Sequence, residues 1–278
     1  MYEITGDVSD LQAPVLLVTF DGWASAGDAG TATAEHIASL GAEDVAVFDP
    51  DALFDFRVNR PTATFDGGRL TDISWPLVVV RRRRMGRRDL FVLSGPEPNW
   101  HWQAFGRSVA DLALRLGVVE SVSLGGIPWA TPHTVPPTVI TTASRGDLIG
   151  SDADYPEGTL HVPSSVTFVV ERALTDAGIP TAGFWVRVPH YVAGTYYPAV
   201  VTLAERLSRH LDLDIPLAPL VDEAAAQRRQ LDALVAERPE ARAMVERLER
   251  LAEDGEVSGE DLAAEIERFL REESDGLG

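Results

Sequence analysis

The sequence contains no cysteine and no lysine, and it has no long hydrophobic run. Without cysteine, the protein can form no disulfide, thiolate zinc site, iron–sulfur cluster or cysteine nucleophile. The longest apolar stretches, such as residues 13–20, are far shorter than the roughly 20 residues that span a bilayer. The N-terminus also lacks the basic start and apolar core of a secretory signal. We therefore expect a cytoplasmic protein that does not contact a membrane.

The charge of the chain is strongly one-sided. It has 43 acidic residues against 24 basic ones, all arginine, and a formal net charge of −19 over 278 residues. A chain this acidic repels phosphate backbones, so we expect no nucleic-acid partner. No H-x-x-x-H or H-E-x-x-H spacing and no G-x-S-x-G elbow occurs, so we expect neither a metal site nor a serine nucleophile of that kind. No cofactor is expected.

Seven short apolar runs have the character of buried strands, because charge does not interrupt them and Gly, Pro or Asp bounds them. They are residues 14–20, 45–48, 77–80, 90–93, 118–124, 138–142 and 183–188. Helical segments lie between them at residues 26–40, 99–116, 164–177 and 197–211. Strands without alternation are covered on both faces. We therefore predict an α/β fold of three αβα layers around a central mixed, largely parallel sheet.

Three segments depart from this pattern. Residues 61–75 predict a β-hairpin around Asp66-Gly67-Gly68, and residues 139–163 form a long loop typical of lids or partner contacts. After the proline-punctuated residues 215–219, helical spacing appears in residues 222–238, 239–253 and 258–271. We predict an α/β domain over residues 1–219 and a helical appendage over residues 220–278.

Several residues just past strand ends are candidates for a ligand-binding crevice, because open α/β sheets bind ligands there. They are Asp21, Gly22, Gly27, Glu97, His133 and His190. The two carboxylates and two histidines have the chemistry of an acid and a base. The glycine-rich turn, however, matches neither the dinucleotide spacing nor a P-loop. The alternatives are a tight turn that allows close helix–sheet packing, and histidines that only hydrogen-bond loops.

The basic residues cluster in one place, and they form the candidate partner-binding patch. They are Arg81, Arg82, Arg83, Arg84, Arg87 and Arg88. One interpretation is an anion site or a docking patch for an acidic partner. A second is a solvated hairpin tip with Met85-Gly86 at its turn. A third is neutralisation by the acidic C-terminal helices, which would fasten the appendage to the body.

Four motifs, taken in order, resemble one family. They are Phe20-Asp21-Gly22-Trp23 with Ala26-Gly27, Leu93-Ser94-Gly95-Pro96-Glu97-Pro98 followed by Trp102 and Phe105, Gly126-Ile127-Pro128-Trp129-Ala130-Thr131-Pro132-His133-Thr134, and Val188-Pro189-His190-Tyr191 with Tyr197-Pro198. In order and spacing they are similar to the actinobacterial branch of the proteasome assembly chaperone type 2 family, over roughly residues 5–250. The residue after Thr134 departs from the family pattern, because relatives tend to carry an arginine in this region.

The resemblance implies a fold like that of the purine nucleoside phosphorylases. It also implies a homo-oligomer with 20S proteasome subunits as a candidate partner. Because the sequence has no complete catalytic constellation, we expect a non-enzymatic protein that acts through protein contacts. A trimer is preferred, because aromatic helix faces and a helical appendage suit a ring. The alternative is a protein or enzyme that binds a nucleoside- or phosphate-like small molecule in the crevice. Some relatives carry the label of ATP-dependent carboxylate–amine ligases, but this chain has no lysine to hold ATP phosphates. The chain ends Ser274-Asp275-Gly276-Leu277-Gly278, so docking by a hydrophobic-Tyr-any-residue tail is not expected.

Overall fold

The computed structural model describes residues 1–150, 154, 159 and 161–253. The apolar runs of the sequence form the centre of an eight-stranded sheet, and a separate hairpin adds two further strands. In chain order the strands are β1 (Tyr2–Ile4), β2 (Val15–Phe20), β3 (Glu43–Phe48), β4 (Thr62–Asp66), β5 (Arg69–Ser74), β6 (Val79–Met85), β7 (Arg88–Gly95), β8 (Glu120–Trp129), β9 (Val139–Ala143) and β10 (Thr181–Pro189).

The spatial order of the large sheet is β1-β3-β6-β7-β2-β8-β10-β9. The four central strands, β7, β2, β8 and β10, run parallel, while β1, β3, β6 and β9 pair antiparallel at the flanks. Every residue of β2 is buried, because parallel strands at the centre of such a sheet are covered on both faces. The carboxyl ends of the parallel strands therefore meet at one edge, where the candidate residues follow.

Seven helices complete the layers among the described residues. They are α1 (Ala29–Ser39), α2 (Pro50–Leu53), α3 (Trp102–Arg115), α4 (Val166–Asp176), α5 (Tyr197–Leu211), α6 (Ala218–Glu237) and α7 (Pro239–Glu253). Successive side chains of a strand point to opposite faces, so Leu16 packs with Phe105 of α3, while Leu17 packs with Leu203 of α5. Helices α3 and α4 cover one face, and α1 and α5 cover the other. The predicted three-layer αβα fold is confirmed.

All of the predicted strands and helices within the described residues are present, but two elements were missed and some boundaries differ. Strand β1 and the short helix α2 were not predicted. Strand β8 continues through Gly125 and Gly126 to Trp129, where the prediction ended at residue 124. These glycines do not end the strand; they make room for neighbours, since a Cβ on Gly126 would lie 2.1 Å from the carbonyl oxygen of Ala26.

The C-terminal helices fold back onto the body. Leu220 of α6 is buried against Val200 and Ala204 of α5, and α7 follows α6 directly at Pro239. The third predicted helix, over residues 258–271, lies outside the described residues, and the division of the chain at residue 219 stays a prediction. In the described part of the chain, no helix is both long enough and apolar enough to cross a membrane.

Candidate functional site

The loop after β2 forms one wall of a cavity at the carboxyl ends of the parallel strands. Gly22 and Gly27 adopt φ values of 137° and 60°, which L side chains adopt only with strain. A Cβ on Gly27 would lie 2.8 Å from the Cβ of Tyr196. The turn therefore depends on glycine for its backbone conformation and for close packing, as one of the alternative interpretations states.

The cavity has a volume of about 280 Å³. Four of the six predicted crevice residues, Asp21, Gly22, Gly27 and His190, line it. Strand ends supply the opposite wall through Pro128, Val188 and Pro189. The structure thus brings the glycine-rich turn and the histidine after β10 together, although Gly27 and His190 are 163 positions apart in the chain.

Carboxylates dominate the electrostatics around Asp21. Its partial burial raises the pKa of the carboxyl above the ordinary value, and the charges of Asp28 and Glu35 raise it further. Asp21 and Asp28 also line an adjoining cavity of about 360 Å³ together with Glu35 and Arg81. A site with these charges disfavours phosphate and other anions.

His190 lies at the rim of this cavity. The residue is exposed, and its Nδ1 lies 3.3 Å from the carbonyl oxygen of Trp129, to which the ring N–H donates. Its ring also contacts that of Tyr191 edge-on, with 5.5 Å between the centroids. This arrangement orients the imidazole and leaves Nε2 as the nitrogen available to a ligand.

Glu97 lies beside the glycine-rich turn but does not line the cavity. Its Oε1 accepts a hydrogen bond of 2.8 Å from the backbone N–H of Val166, the first residue of α4. Burial raises the pKa of Glu97, and this hydrogen bond offsets part of the rise. The carboxylate satisfies a free N–H at the start of α4, a favourable place for negative charge. Its geometry is that of a helix cap.

His133 is buried under helix α6 of the appendage and does not line the cavity. The residue is 2% exposed, and Tyr191 Oη lies 2.7 Å from both its backbone nitrogen and its Nδ1. An ionised carboxylate, which can only accept, faces Nε2, so Nε2 carries the ring proton and Nδ1 accepts from the Tyr191 hydroxyl. That Nε2 faces Asp232 Oδ1 of α6 at 3.3 Å.

Two further hydrogen bonds fasten the appendage at the same place. Arg228 of α6 donates from Nη1 to the carbonyl oxygen of His133 at 2.7 Å, and Thr134 donates to Glu249 of α7 at 2.6 Å. Burial lowers the pKa of His133, with a smaller lowering by Arg228, while Asp232 raises it. The imidazole is therefore neutral at pH 7. We call His133, Tyr191, Arg228 and Asp232 the His133 cluster.

The arginine run forms strand β6, and its side chains alternate between the two faces of the sheet. Strand β6 pairs with β7 up to the turn at Gly86, so the predicted hairpin is confirmed. On one face, Arg82 and Arg84 both bind the carboxylate of Asp89, at 2.9 and 2.8 Å. They also donate to the backbone carbonyls of Asp7 and Asp10, which ties the N-terminal segment to this hairpin.

The remaining arginines lie elsewhere. On the other face, Arg81 pairs with Asp44 at 3.0 Å and Arg83 donates to the carbonyl of Gly41. Arg87 lies in the turn, and Arg88 is the first residue of β7. The six arginines therefore do not form one surface. In the described part of the chain, Arg81, Arg82, Arg83 and Arg84 bind Asp89, Asp44 and loop carbonyls. None of these contacts reaches α6 or α7, so they do not support the alternative that those helices neutralise the arginine run.

Several structural residues were missed in the sequence. Asp89 follows an arginine run across a tight turn, which places it opposite Arg84, so cross-strand pairing was a signal for it. Tyr191 belongs to the motif Val188-Pro189-His190-Tyr191, but its place beside His133 under α6 depends on a helix about 40 residues later in the chain. Arg228 and Asp232, four residues apart, share a helix face, yet nothing in the sequence says which surface that face covers.

The fold and the site together define a three-layer α/β protein whose glycine-rich turn walls a strand-end cavity and whose C-terminal helices cover a neighbouring histidine. The model of the PAC2 family matches residues 19–235 of the chain. The chain belongs to the PAC2 family. A comparison with curated proteins finds no match.

Solved structures include similar proteins from actinobacteria. A Mycobacterium tuberculosis protein of unknown function is 31% identical, with 97% of this chain and 96% of that chain covered and a TM-score of 0.87. A PAC2 family protein from Streptomyces avermitilis is 34% identical, with 84% and 99% covered and a TM-score of 0.76. A proteasome-assembly chaperone homologue from Mycobacterium tuberculosis is 31% identical, with 83% and 99% covered and a TM-score of 0.76. The resemblance stated from the motifs is confirmed.

Proposed function

We propose that this protein is a non-enzymatic assembly chaperone that works as a homo-oligomer, through protein–protein contacts in the cytoplasm. The observation that carries the proposal is family membership over residues 19–235. A second support is the 31% identity of this chain to a proteasome-assembly chaperone homologue, which is covered over 99% of its length. The client that we propose is therefore a subunit of the 20S proteasome.

The placement of the titratable residues supports this proposal. Of the residues first considered as acid and base, Glu97 caps α4 and His133 is buried beneath α6. Asp21 and His190 remain in the cavity, but no hydrogen bond joins them among the described contacts. An acid–base enzyme needs its groups within reach of one reacting atom, and Glu97 and His133 lie outside the cavity that Asp21 and His190 line.

Co-purification from a native lysate of the source organism tests the proposal. Tagged wild-type protein is expected to retain proteasome α-subunits, identified by mass spectrometry, at a stoichiometry that survives washing at moderate salt. The matched control is a variant with the exposed hairpin residue Thr64 changed to Asp, which alters a polar surface without touching the core and should retain the subunits equally. The absence of proteasome subunits from the wild-type sample, at high protein concentration, would count against the proposed client.

A second candidate function is binding of a small polar molecule in the 280 Å³ cavity. One observation favours it: the Ser25 hydroxyl at the cavity wall is buried and has no hydrogen-bond partner in the described part of the chain. Buried polar groups are seldom left unpaired, so a ligand hydroxyl or amine would complete this one. The acidic surroundings favour a neutral or cationic ligand over ATP, and no lysine is present to hold phosphates.

A thermal-shift screen separates this candidate from the first. Nucleosides, inorganic phosphate, ATP and small amines are added to wild-type protein and to His190→Ala. A specific ligand raises the melting temperature by mass action, and the rise should shrink in the variant. If no compound shifts the wild-type melting temperature, the small-molecule function loses its support, while the chaperone proposal is unaffected.

A further inference from the structure

Helix α4 presents two stripes of side chains to the interior. The first is apolar and lies in the core that α4 shares with α3, and it consists of Val166, Val170 and Leu174. The second lies one position further along the helix and is polar, and it consists of Thr167, Glu171 and Thr175. Because α3 buries more apolar side chains than α4 does, we expect α4 to be held less firmly than α3.

The polar stripe faces a polar part of the sheet. Thr175 Oγ1 lies 3.2 Å from Oγ1 of Thr181 on β10, and a Cβ on Gly183 would lie 3.0 Å from Glu171 Oε1. Ser123 of β8 is paired with Gly183 and is 1% exposed. Glu171 Oε1 and the Ser123 hydroxyl are both buried, and neither makes a hydrogen bond of ordinary geometry among the described residues. Such atoms are rare in a folded protein, so this is a weak point of the α4–sheet contact.

The Glu171 carboxyl has no charged partner beneath α4. Burial raises its pKa to about 7, the nearby Ser123 hydroxyl offsets only part of the rise, and no charge of another described residue contributes to it. An ionised Glu171 must therefore stay buried without a counter-ion or reach water, and water reaches it when α4 moves off the sheet. The other charged residues on the elements around it lie on α3 (Arg107, Asp111 and Arg115), α4 (Arg172 and Asp176), β8 (Glu120) and β10 (Arg187), while β2 and β9 carry none.

Three contacts join the N-terminal end of α4 to the glycine-rich turn that walls the cavity. Trp23 Nε1 donates to the carbonyl oxygen of Ser164 at 3.3 Å, and the Trp23 ring packs on that of Phe168 with 6.1 Å between the centroids. Glu97, which caps α4, also lies against the turn, since a Cβ on Gly22 would be 3.1 Å from its Oε2. A movement of α4 therefore reaches the turn through these contacts.

We propose that α4 and the glycine-rich turn form one pH-responsive unit, in which a protonated Glu171 holds both in place and an ionised Glu171 releases them together. In the closed form Glu171 keeps its proton up to about pH 7, whereas in the open form it titrates near pH 4.5. Opening therefore becomes more favourable as the pH rises between these values and changes little above them. Because the turn lines the 280 Å³ cavity, the shape of this cavity depends on pH.

Hydrogen exchange at pH 6 and pH 8, corrected for the intrinsic exchange rate, tests the unit. In the wild type, the opening equilibrium of the amides in α4 and in residues 21–28 should rise about tenfold between the two pH values. The amides of α5, on the opposite face of the sheet, should not change. Glu171→Gln should remove the rise in both segments, and Glu205→Gln, an exposed change on α5, should keep it. No rise in α4, a rise in α4 without residues 21–28, or an equal rise in α5 overturns the proposal.

Cysteine labelling gives a second measurement that does not depend on how well Glu171→Gln folds. The chain has no cysteine, so Thr167→Cys places a single thiol at a position that is 4% exposed in the polar stripe. Its reaction with a maleimide, corrected for the thiolate fraction with the exposed variant Glu205→Cys, should accelerate about tenfold from pH 6 to pH 8. Ala34→Cys on α1, 1% exposed on the opposite face, should keep its corrected rate. A Thr167→Cys rate that follows the thiolate fraction alone, or equal acceleration at both positions, overturns the proposal.

Discussion

Arg84 and Asp89 lie directly opposite each other on strands β6 and β7, with 2.8 Å between Nη2 and Oδ2. The Asp89 side chain is fully buried, and it accepts further hydrogen bonds from Arg82 and from the backbone N–H of Gln12. Burial alone would raise the pKa of Asp89, but the hydrogen bonds, that of Arg84 first, hold it below the ordinary value. Part of the basic run therefore holds the N-terminal segment against the sheet.

Replacement of Asp89 by Asn tests this structural role. The change leaves Arg82 and Arg84 without their buried partner, and we expect a loss of about 2 kcal/mol in the free energy of unfolding, less than for a fully buried pair because water reaches Arg84. The matched control is Asp44→Asn, which breaks the more exposed pair with Arg81 and should cost less than about 0.5 kcal/mol. Urea denaturation at pH 7 measures both. Equal effects of the two changes would contradict this role.

Glu171 gives a prediction about pH. Burial raises the pKa of its carboxyl to about 7, and the neighbouring Ser123 only partly offsets this. In the unfolded chain the group titrates near pH 4.5, so the folded state holds the extra proton between these values. The contribution of protonated Glu171 to the free energy of unfolding is therefore complete below pH 4.5. It is lost as the pH rises through 7, and the loss amounts to about 3 kcal/mol.

The variant Glu171→Gln removes this dependence. Relative to wild type, it should gain stability progressively between pH 5 and pH 8, measured as the difference in unfolding free energy at each pH. Glu223→Gln, an exposed change on α6, is the control and should show no such trend. A constant difference between Glu171→Gln and wild type over this range refutes the prediction.

The His133 cluster predicts how the appendage is held. Arg228→Ala removes the hydrogen bond to the carbonyl of His133, worth about 1–1.5 kcal/mol, so hydrogen exchange of the amides in α6 should accelerate about tenfold. Arg229→Ala, one residue further along the same helix and solvent-exposed, should leave exchange unchanged. If both variants exchange alike, the cluster does not fasten the appendage.

The same cluster responds to pH in the direction opposite to Glu171. The pKa of His133 is lowered in the folded protein, so its contribution to stability is complete above the ordinary histidine pKa of about 6.5 and is lost as the pH falls below it. His133→Gln should flatten this part of the melting-temperature profile between pH 7.5 and pH 5.5. A profile that keeps the wild-type slope in the variant would show that another group controls it.

Gly126 tests the packing of the glycine-rich turn. A Cβ there meets the Ala26 carbonyl oxygen at 2.1 Å, so Gly126→Ala must displace the turn that walls the cavity, and we expect a loss of about 2–3 kcal/mol. Gly146→Ala is the control, because a Cβ there meets nothing within 4 Å and the backbone has no positive φ. That change should be neutral or stabilise by less than about 1 kcal/mol. Thermal unfolding of both variants measures the contrast.

The sequence was most informative where burial on both faces dictates residue type. The apolar run of β2 indicates a central strand, and Gly41, Gly117 and Gly178 mark helix ends that the structure places nearby. It was least informative about which surfaces meet. The sequence correctly placed His133 after a strand, but the burial of this residue depends on α6, which folds back over it. Such contacts are set by tertiary packing and leave no local pattern.

The β4–β5 hairpin also shows what the sequence could and could not predict. Its turn at Asp66-Gly67-Gly68 was predictable, since positive φ at both glycines suits the connection. Its exposed apolar face was not, because the bulge at Thr71 breaks the period-two alternation that would identify one face in the sequence. Only the structure shows that Leu70 and Ile73 lie side by side.

Sedimentation velocity of the purified protein mixed with purified 20S proteasome α-subunits from the same organism tests the central claim most directly. We predict that the protein alone sediments as a homo-oligomer and that a faster species containing both proteins appears on mixing, saturating at a fixed ratio. Two independent boundaries that never merge, at concentrations up to tens of micromolar, would contradict the account.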